Sequence, residues 1–200
     1  MKKIMFNDRY GLTQAVLDGR KTQTRRIIKF SPIDAKYVND EWWSIGGYVA
    51  SEIINRYSRY NVGEVVAVAQ RYSDFMEEDK VLYRTVKEVD GYRRELASEQ
   101  KGWNNKLFVC ADLMPHRIRI TDVRVERLND ISESDCRAEG VDSWVCRGKR
   151  YYGFFDYSKD HFVRCDTSRE AYAALIDRIS GKGVWSSNPY VFAYTFELVK

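Results

Sequence analysis

The sequence predicts an α+β fold: a small, mostly antiparallel β-barrel with helices at its openings. Several short segments alternate apolar and polar residues or are rich in β-branched residues, as strands are, and three others have helical periodicity. Of the 200 residues, 44% are hydrophobic and 14% aromatic, which is enough apolar material for a packed core. No internal repeat or low-complexity linker interrupts the chain, so we expect one domain over residues 1–200.

Three helices are predicted, each with an end signal of its own. A glycine that suits the left-handed conformation follows the first, and capping-box sequences open the other two. The predicted helices are Arg9–Asp18 before Gly19, a short helix from Ser132 to Gly140, and a helix from Thr167 to about Ile179.

Five strands are predicted from β-branched runs or from alternation with a period of two. The fourth has a break in its phase near Thr121-Asp122, where a bulge would fit. The strands are Val65–Ala69, a segment near Val81–Val86, Leu107–Cys110, Arg117–Glu126 and Tyr190–Val199. The aromatic segments near 31–62 and 141–166 are interpreted as insertions.

The segment from Gly19 to Lys29 concentrates positive charge just past the first helix. Five of the ten residues from Arg20 to Lys29 are cationic, whereas the whole chain has a net charge of only +4. Two hydroxyls, Thr22 and Thr24, lie among them. Such a segment suits an anionic or polar ligand such as a nucleotide or RNA phosphate, or a nucleophile beside a lysine. The alternative is a solvated basic loop.

The remaining composition limits the cofactor and the compartment. The four cysteines form no CxxC pair and are expected to be free thiols; His161 and Cys165 come nearest to a zinc-ligand spacing, which is too few ligands for a site. We therefore predict no metal and no cofactor. No apolar run has the length of a membrane span, and the N-terminus lacks the apolar core of a signal peptide, so a cytoplasmic location without membrane contact is expected.

With these segments placed, the chain resembles the ASCH family of the PUA-like group, and most of all its longer phage and prophage members. The resemblance rests on many short pieces in the same order along the chain. They are Ile4-Met5-Phe6-Asn7, Leu17-Asp18-Gly19, Gly19–Arg26, Val62-Gly63-Glu64, Met114-Pro115, Ile120–Leu128, Ile131, Ala138-Glu139-Gly140 and Trp185–Phe192.

The resemblance implies a PUA-like barrel with a cleft between barrel and helices, and RNA or nucleoside ligands. Compared with small members of the family, it also implies insertions near 31–62, 73–112 and 141–166. Small bacterial ASCH proteins that are similar to this chain deacetylate N4-acetylcytidine with a lysine, a threonine and a glutamate. The matching positions here are Lys21, Thr24 and Glu139. The resemblance thus offers two functions: binding of RNA or a modified nucleoside in a cationic cleft built on Gly19–Arg26, which we take first, and amide hydrolysis as the alternative. An interaction protein with a vestigial cleft is a third.

The chemistry of these three residues depends on proton transfer. A threonine hydroxyl needs a base, and Lys21 can be that base only if its pKa lies well below about 10.4. Nearby arginines and burial lower that pKa, while the preceding helix C-terminus raises it. Lys21 and Thr24 are three residues apart, so they share a site only if the segment turns or bulges. Glu139 fits either an acid–base role or a plain salt bridge.

Other residues are candidates for holding a ligand. Cations and a hydroxyl of the motif could hold a phosphate or an oxyanion, and Trp185 and Asn188 could contact a base or simply form a packed turn. Trp42, Trp43 and Trp144 fit either core packing or stacking on a nucleobase. The motif residues assigned to the ligand are Arg20, Thr22, Arg25 and Arg26.

Overall fold

The fold is described from a computed structural model over residues 1–29, 48–76, 84–88, 91–95 and 97–199. Predictions for Trp42, Trp43 and Val81 lie outside the described residues. The helices are α1 (Leu12–Leu17), α2 (Tyr48–Tyr57), α3 (Glu133–Ala138), α4 (Ser168–Ser180) and α5 (Val184–Ser187). The strands are β1 (Lys3–Ile4), β2 (Gln23–Ile27), β3 (Val65–Val68), β4 (Arg84–Glu88), β5 (Gly91–Glu95), β6 (Arg117–Arg127), β7 (Asp142–Cys146), β8 (Lys149–Asp156), β9 (His161–Cys165) and β10 (Tyr190–Val199).

The described residues divide into two compact units. The first consists of the described residues within Met1–Phe6, Val65–Ile118 and Val199–Lys200, and the second of those within Asn7–Glu64 and Arg119–Leu198. Each unit has its own strands and buried residues, and the cationic motif belongs to the second.

The first unit contains a short parallel strand pair. β1 pairs with β3, with Ile4 opposite Val68, and the Val68 amide donates to the carbonyl of His116 just before β6. Val66 to Ala69 are fully buried, as expected for a β-branched run. Separately, β4 and β5 pair as an antiparallel hairpin.

The strand predicted at Leu107–Cys110 is wrong. Lys106–Phe108 is a 3-10 turn instead, because the side chain of Asn105 accepts a hydrogen bond from the Leu107 amide and caps the turn. Leu107 is exposed, while Val109 packs with Tyr72 in the buried cluster of this unit. The apolar run therefore begins with a turn, and only Val109 of its side chains packs into the core.

The first helix is shorter than predicted. Asp8–Tyr10 forms a 3-10 turn, and Gly11, with φ of 64°, separates it from α1. The predicted end is confirmed, since Gly19 has φ of 72°. The Thr167 capping box is also confirmed: Thr167 accepts from the Glu170 amide, and the Glu170 carboxylate accepts from the Thr167 amide.

The sheet of the second unit supports the motif. β10 lies between β6 and β2 and pairs with β2 antiparallel, with Thr24 opposite Tyr194. In β6, Ile118 and Ile120 are buried and the next buried residue is Val123, so the predicted break in phase is confirmed.

Residues 142–165 form a three-stranded antiparallel sheet in the order β7-β8-β9. This segment was predicted only as an aromatic insertion. Helix α4 packs against β8 and β9. Phe154 points toward it, buried at 1% exposure beneath the Arg178 guanidinium.

The described chain combines helices with mostly antiparallel strand pairs, which confirms the α+β class. In neither unit do the described strands close into a barrel. None of the described helices has the length and apolar character that crossing a bilayer requires.

Candidate functional site

Lys21 is held where α1 leads into β2. Its amide donates to the carbonyl of Ala15, and the next amide, of Thr22, donates to the carbonyl of Ala138 at the end of α3. Gly19 allows the sharp change of direction that both bonds need. The motif is therefore fixed between the ends of two helices, and the side chain of Lys21 is only 2% exposed.

Lys21 and Glu139 form a buried ion pair. Lys21 Nζ donates to Glu139 Oε2 at 2.6 Å and to the Glu139 backbone carbonyl at 2.7 Å. Gly140, with φ of 97°, follows; a Cβ there would stand 3.6 Å from Lys21 Cδ. The predicted association of Lys21 with a glutamate 118 residues away is thus present in the geometry.

Burial lowers the pKa of Lys21 below its ordinary value. Glu139 opposes this effect through its charge and its hydrogen bond, while Arg26 and Arg25 reinforce it. A lysine with a lowered pKa is easier to deprotonate near neutral pH, as a general base must be.

Arg25 lies in the same cluster, and its side chain is fully buried. Its guanidinium contacts three carboxylates: Glu126 at 2.7 Å, Asp135 at 3.0 Å and Glu139 at 3.2 Å. Nη1 also donates to Gln23 Oε1 at 3.1 Å. Burial alone would lower the pKa of Arg25, but Glu139 and Glu126 raise it. These acceptors occupy all three nitrogens of the guanidinium. Arg25 therefore links β2 to β6 through Glu126 and to α3 through Asp135.

Thr24 is buried, and it lies in the middle of a regular strand pair. The register of β2 with β10 runs without a bulge from Gln23 to Ile27. Successive side chains of a strand point to opposite faces, so Thr24 faces away from Gln23 and Arg25. The strand therefore does not present the Thr24 hydroxyl on the face from which Gln23 and Arg25 reach the carboxylates.

The other cations of the motif face outward. Arg20 is 47% exposed and pairs with Asp18 at 3.1 Å and Asp142 at 2.9 Å. Arg26 is exposed on β2. Thr22 is half-buried, and its carbonyl accepts from the Phe196 amide. The local excess of cations in the sequence is thus largely matched by carboxylates from elsewhere in the chain.

Trp185 and Asn188 form a packed turn before β10. The Trp185 amide donates to Asp177 Oδ1 at 2.7 Å, and Asn188 Oδ1 accepts from the Asn129 amide at 2.8 Å. Asn188 has a left-handed backbone, with φ of 46°. These contacts agree with the alternative in which both residues form a packed turn.

Tyr172, which sequence reasoning assigned only to the apolar face of its helix, lies beside the ion cluster. It is 2% exposed, and its hydroxyl has no hydrogen-bond partner within the described part of the chain. Burial raises its pKa well above the ordinary value, and Glu139 contributes to the rise. The sequence offers one signal for this position: a tyrosine on an otherwise apolar helix face, where phenylalanine would fill the same space without a hydroxyl to bury.

We expect Tyr172→Phe to leave the free energy of unfolding unchanged or raise it by about 1 kcal/mol, because it removes a buried hydroxyl without a partner. The matched control is Tyr194→Phe. Tyr194 is equally buried, but its hydroxyl lies 3.0 Å from Ser58 Oγ and accepts from the Arg59 amide at 3.3 Å. Urea denaturation should show a loss of about 1 kcal/mol for that variant. Equal losses of unfolding free energy in the two variants would show that the Tyr172 hydroxyl does have a hydrogen-bond partner.

A metal site finds no support among the described ranges, which contain no group of three or more histidine, cysteine, aspartate and glutamate side chains placed to hold an ion. Cys136, beside the ion cluster, is fully buried, and burial raises its pKa to about 11. Its thiol therefore stays protonated at neutral pH.

Comparison with known proteins identifies no family. No protein-family model matches the chain, and no curated protein matches it. Among solved structures, the crystal structure of protein EF3133 from Enterococcus faecalis V583, described by the family model DUF984, is similar with a TM-score of 0.38 and 14% identity. That match covers 100% of this chain and 77% of the other. These comparisons therefore do not assign the chain to a family.

Proposed function

We propose that this protein is an ASCH-type member of the PUA-like group that hydrolyses the amide of an N4-acylated cytidine. The observation that carries the proposal is the buried contact of 2.6 Å between Lys21 Nζ and Glu139 Oε2. Two residues that the family resemblance pairs, although 118 positions apart, lie in direct contact. The PUA-like barrel and the substrate class are parts of this proposal.

The proposed reaction uses Lys21 as the base, because burial favours its neutral form. The amine takes a proton from a water molecule while the oxygen of that water attacks the acyl carbon. The carbon–nitrogen bond then breaks, and the proton passes from Lys21 to the departing N4 of cytidine. The acid and cytidine are released, and Lys21 is again neutral. Glu139 positions Lys21 and stabilises its protonated form between these steps.

The direct test is to incubate the protein with N4-acetylcytidine and to follow release of cytidine and acetate by chromatography. We expect turnover whose kcat/KM rises with pH and levels off above the pKa of Lys21, which lies below that of a free lysine. The sign follows from the mechanism, since only the neutral amine accepts a proton from the attacking water. Absence of cytidine release at every pH would rule out the hydrolase.

Binding without hydrolysis is the second candidate function. It is favoured by the exposure of Arg20 and Arg26, two cations of the motif that reach solvent. It would appear as saturable binding of N4-acetylcytidine or RNA with no product formed. Charge reversal by Arg26→Glu should then weaken the binding of RNA and reduce its dependence on salt.

A further inference from the structure

The sheet β7–β9 has one covered face and one open face. Phe154 and its neighbours on the covered face meet α4, and the Tyr10 ring packs edge-on against Phe154 at 5.4 Å. Because side chains alternate along a strand, Gly153 and Phe155 point to the opposite face. That second face is lined by half-exposed aromatic rings.

Four rings form what we term the aromatic platform: Trp144, Tyr151, Phe155 and Phe162. Trp144 and Tyr151 are directly opposite each other in the β7–β8 register and stack at 6.1 Å with an angle of 30° between their planes. Phe162 meets Trp144 edge-on at 4.3 Å and lies opposite Phe155 in the β8–β9 register. The rings thus cover all three strands, and each has a part open to solvent.

Gly153 lies at the centre of this arrangement. A Cβ at this position would stand 1.8 Å from the carbonyl oxygen of Val163 and 2.9 Å from the Phe162 ring, so only glycine fits. The absence of a side chain lets the rings on either side come together over the middle strand. The glycine therefore permits the close approach of the β9 backbone and of the Phe162 ring.

Positive charge borders the aromatic platform. The Arg164 guanidinium lies 4.7 Å from the centre of the Tyr151 ring, and Lys149 Nζ lies 5.2 Å from it. Lys149 pairs with Asp166 at 2.8 Å, whereas Arg164 forms no ion pair with a carboxylate in the described part of the chain. Arg147, in the exposed turn between β7 and β8, adds a third cation.

We propose that the aromatic platform binds single-stranded nucleic acid. Exposed rings on a sheet face offer stacking surfaces to unpaired bases, and the flanking cations complement the phosphates. Trp144, Tyr151 and Phe162 would stack on bases, and Arg164 and Lys149 would contact the backbone. The site is separate from Lys21 and Glu139 and does not depend on hydrolysis there.

The test is fluorescence anisotropy with a labelled ten-nucleotide oligocytidine RNA and with the DNA oligomer of the same sequence. A duplex of equal length is the control, because its bases are not free to stack. We expect both single strands to bind more tightly than the duplex. Arg164→Ala should reduce the slope of log affinity against log salt by about 0.7. The matched control Arg119→Ala changes an exposed arginine on another sheet and should not alter the slope.

Tyr151→Leu and Phe162→Leu keep apolar volume and remove the aromatic face. Each should weaken single-strand binding about tenfold or more while the melting temperature shows that the protein remains folded. The proposal is overturned if wild type does not bind either single strand at low salt, if the duplex binds equally well, or if both leucine variants bind like wild type. Concentration-dependent dimerisation lost in the same variants, without nucleic-acid binding, would instead identify a protein interface.

Discussion

Replacing Arg25 with methionine is expected to lower the free energy of unfolding by about 3–5 kcal/mol. The substitution keeps an apolar stem of similar length but removes the charge that three carboxylates share. Glu139 is then left buried with Lys21 alone, and Glu126 and Asp135 lose their common partner. Loss of one partner from a buried ionic cluster is costly because the remaining charges are poorly hydrated.

Urea denaturation at neutral pH measures this effect, and Arg124→Ala is the matched control. Arg124 also reaches Asp135, at 3.7 Å, but its side chain is 45% exposed. Its removal should change stability by no more than about 0.5 kcal/mol. If Arg25→Met fails to fold, Arg25→Lys retains the charge and should show a smaller loss. A variant Arg25→Met as stable as wild type would show that the cluster contributes nothing net to folding.

Lys21→Gln is expected to reduce kcat/KM for N4-acetylcytidine by about 10²–10⁴-fold, the range typical of a lost general base. Glutamine can still donate a hydrogen bond to Glu139, so the effect should come from lost proton transfer more than from lost folding. The pH dependence assigned to Lys21 should disappear from the residual activity. Cytidine release by chromatography gives the rates, and Lys182→Gln, an exposed lysine in the same unit, is the control.

Two variants of Thr24 separate its roles. Thr24→Val keeps the shape without the hydroxyl and should abolish turnover if threonine is the nucleophile, whereas Thr24→Ser should retain part of it. If wild type is active and Lys21→Gln retains its rate and pH profile, Lys21 is not the base. If Thr24→Val remains active, a water molecule attacks in place of threonine.

Much of the fold follows from local signals in the sequence. The Thr167 capping box, the left-handed Gly19 and the break in phase of β6 depend on residues within a few positions of one another. The strand predicted at Leu107–Cys110 fails for the same kind of reason, because one polar side chain, Asn105, caps a turn and outweighs a short apolar run. Local chemistry thus accounts for both the successes and this error.

The ion cluster depends instead on distant residues. Glu126 and Asp135 lie 101 and 110 positions from Arg25, and no local pattern marks them as its partners. From the sequence, the excess of cations in the motif therefore suits an anionic ligand or a solvated loop, and nothing there indicates that carboxylates of the same chain neutralise it. The pairing of Lys21 with Glu139 could be proposed only from the family resemblance, and the role of Tyr172 depends on what surrounds its hydroxyl. Contacts of this kind emerge only when the chain is folded.

The unbroken pairing of β2 with β10 has a consequence for the kinds of change this segment tolerates. Gln23 and Arg25 point to the carboxylates because they occupy alternate positions of a strand with a period of two. Inserting or deleting a single residue between Gly19 and Gln23 would exchange the two faces, bringing the threonine hydroxyl to the acidic side and the arginine to the other. The length of the motif is therefore constrained in addition to the identity of its buried residues.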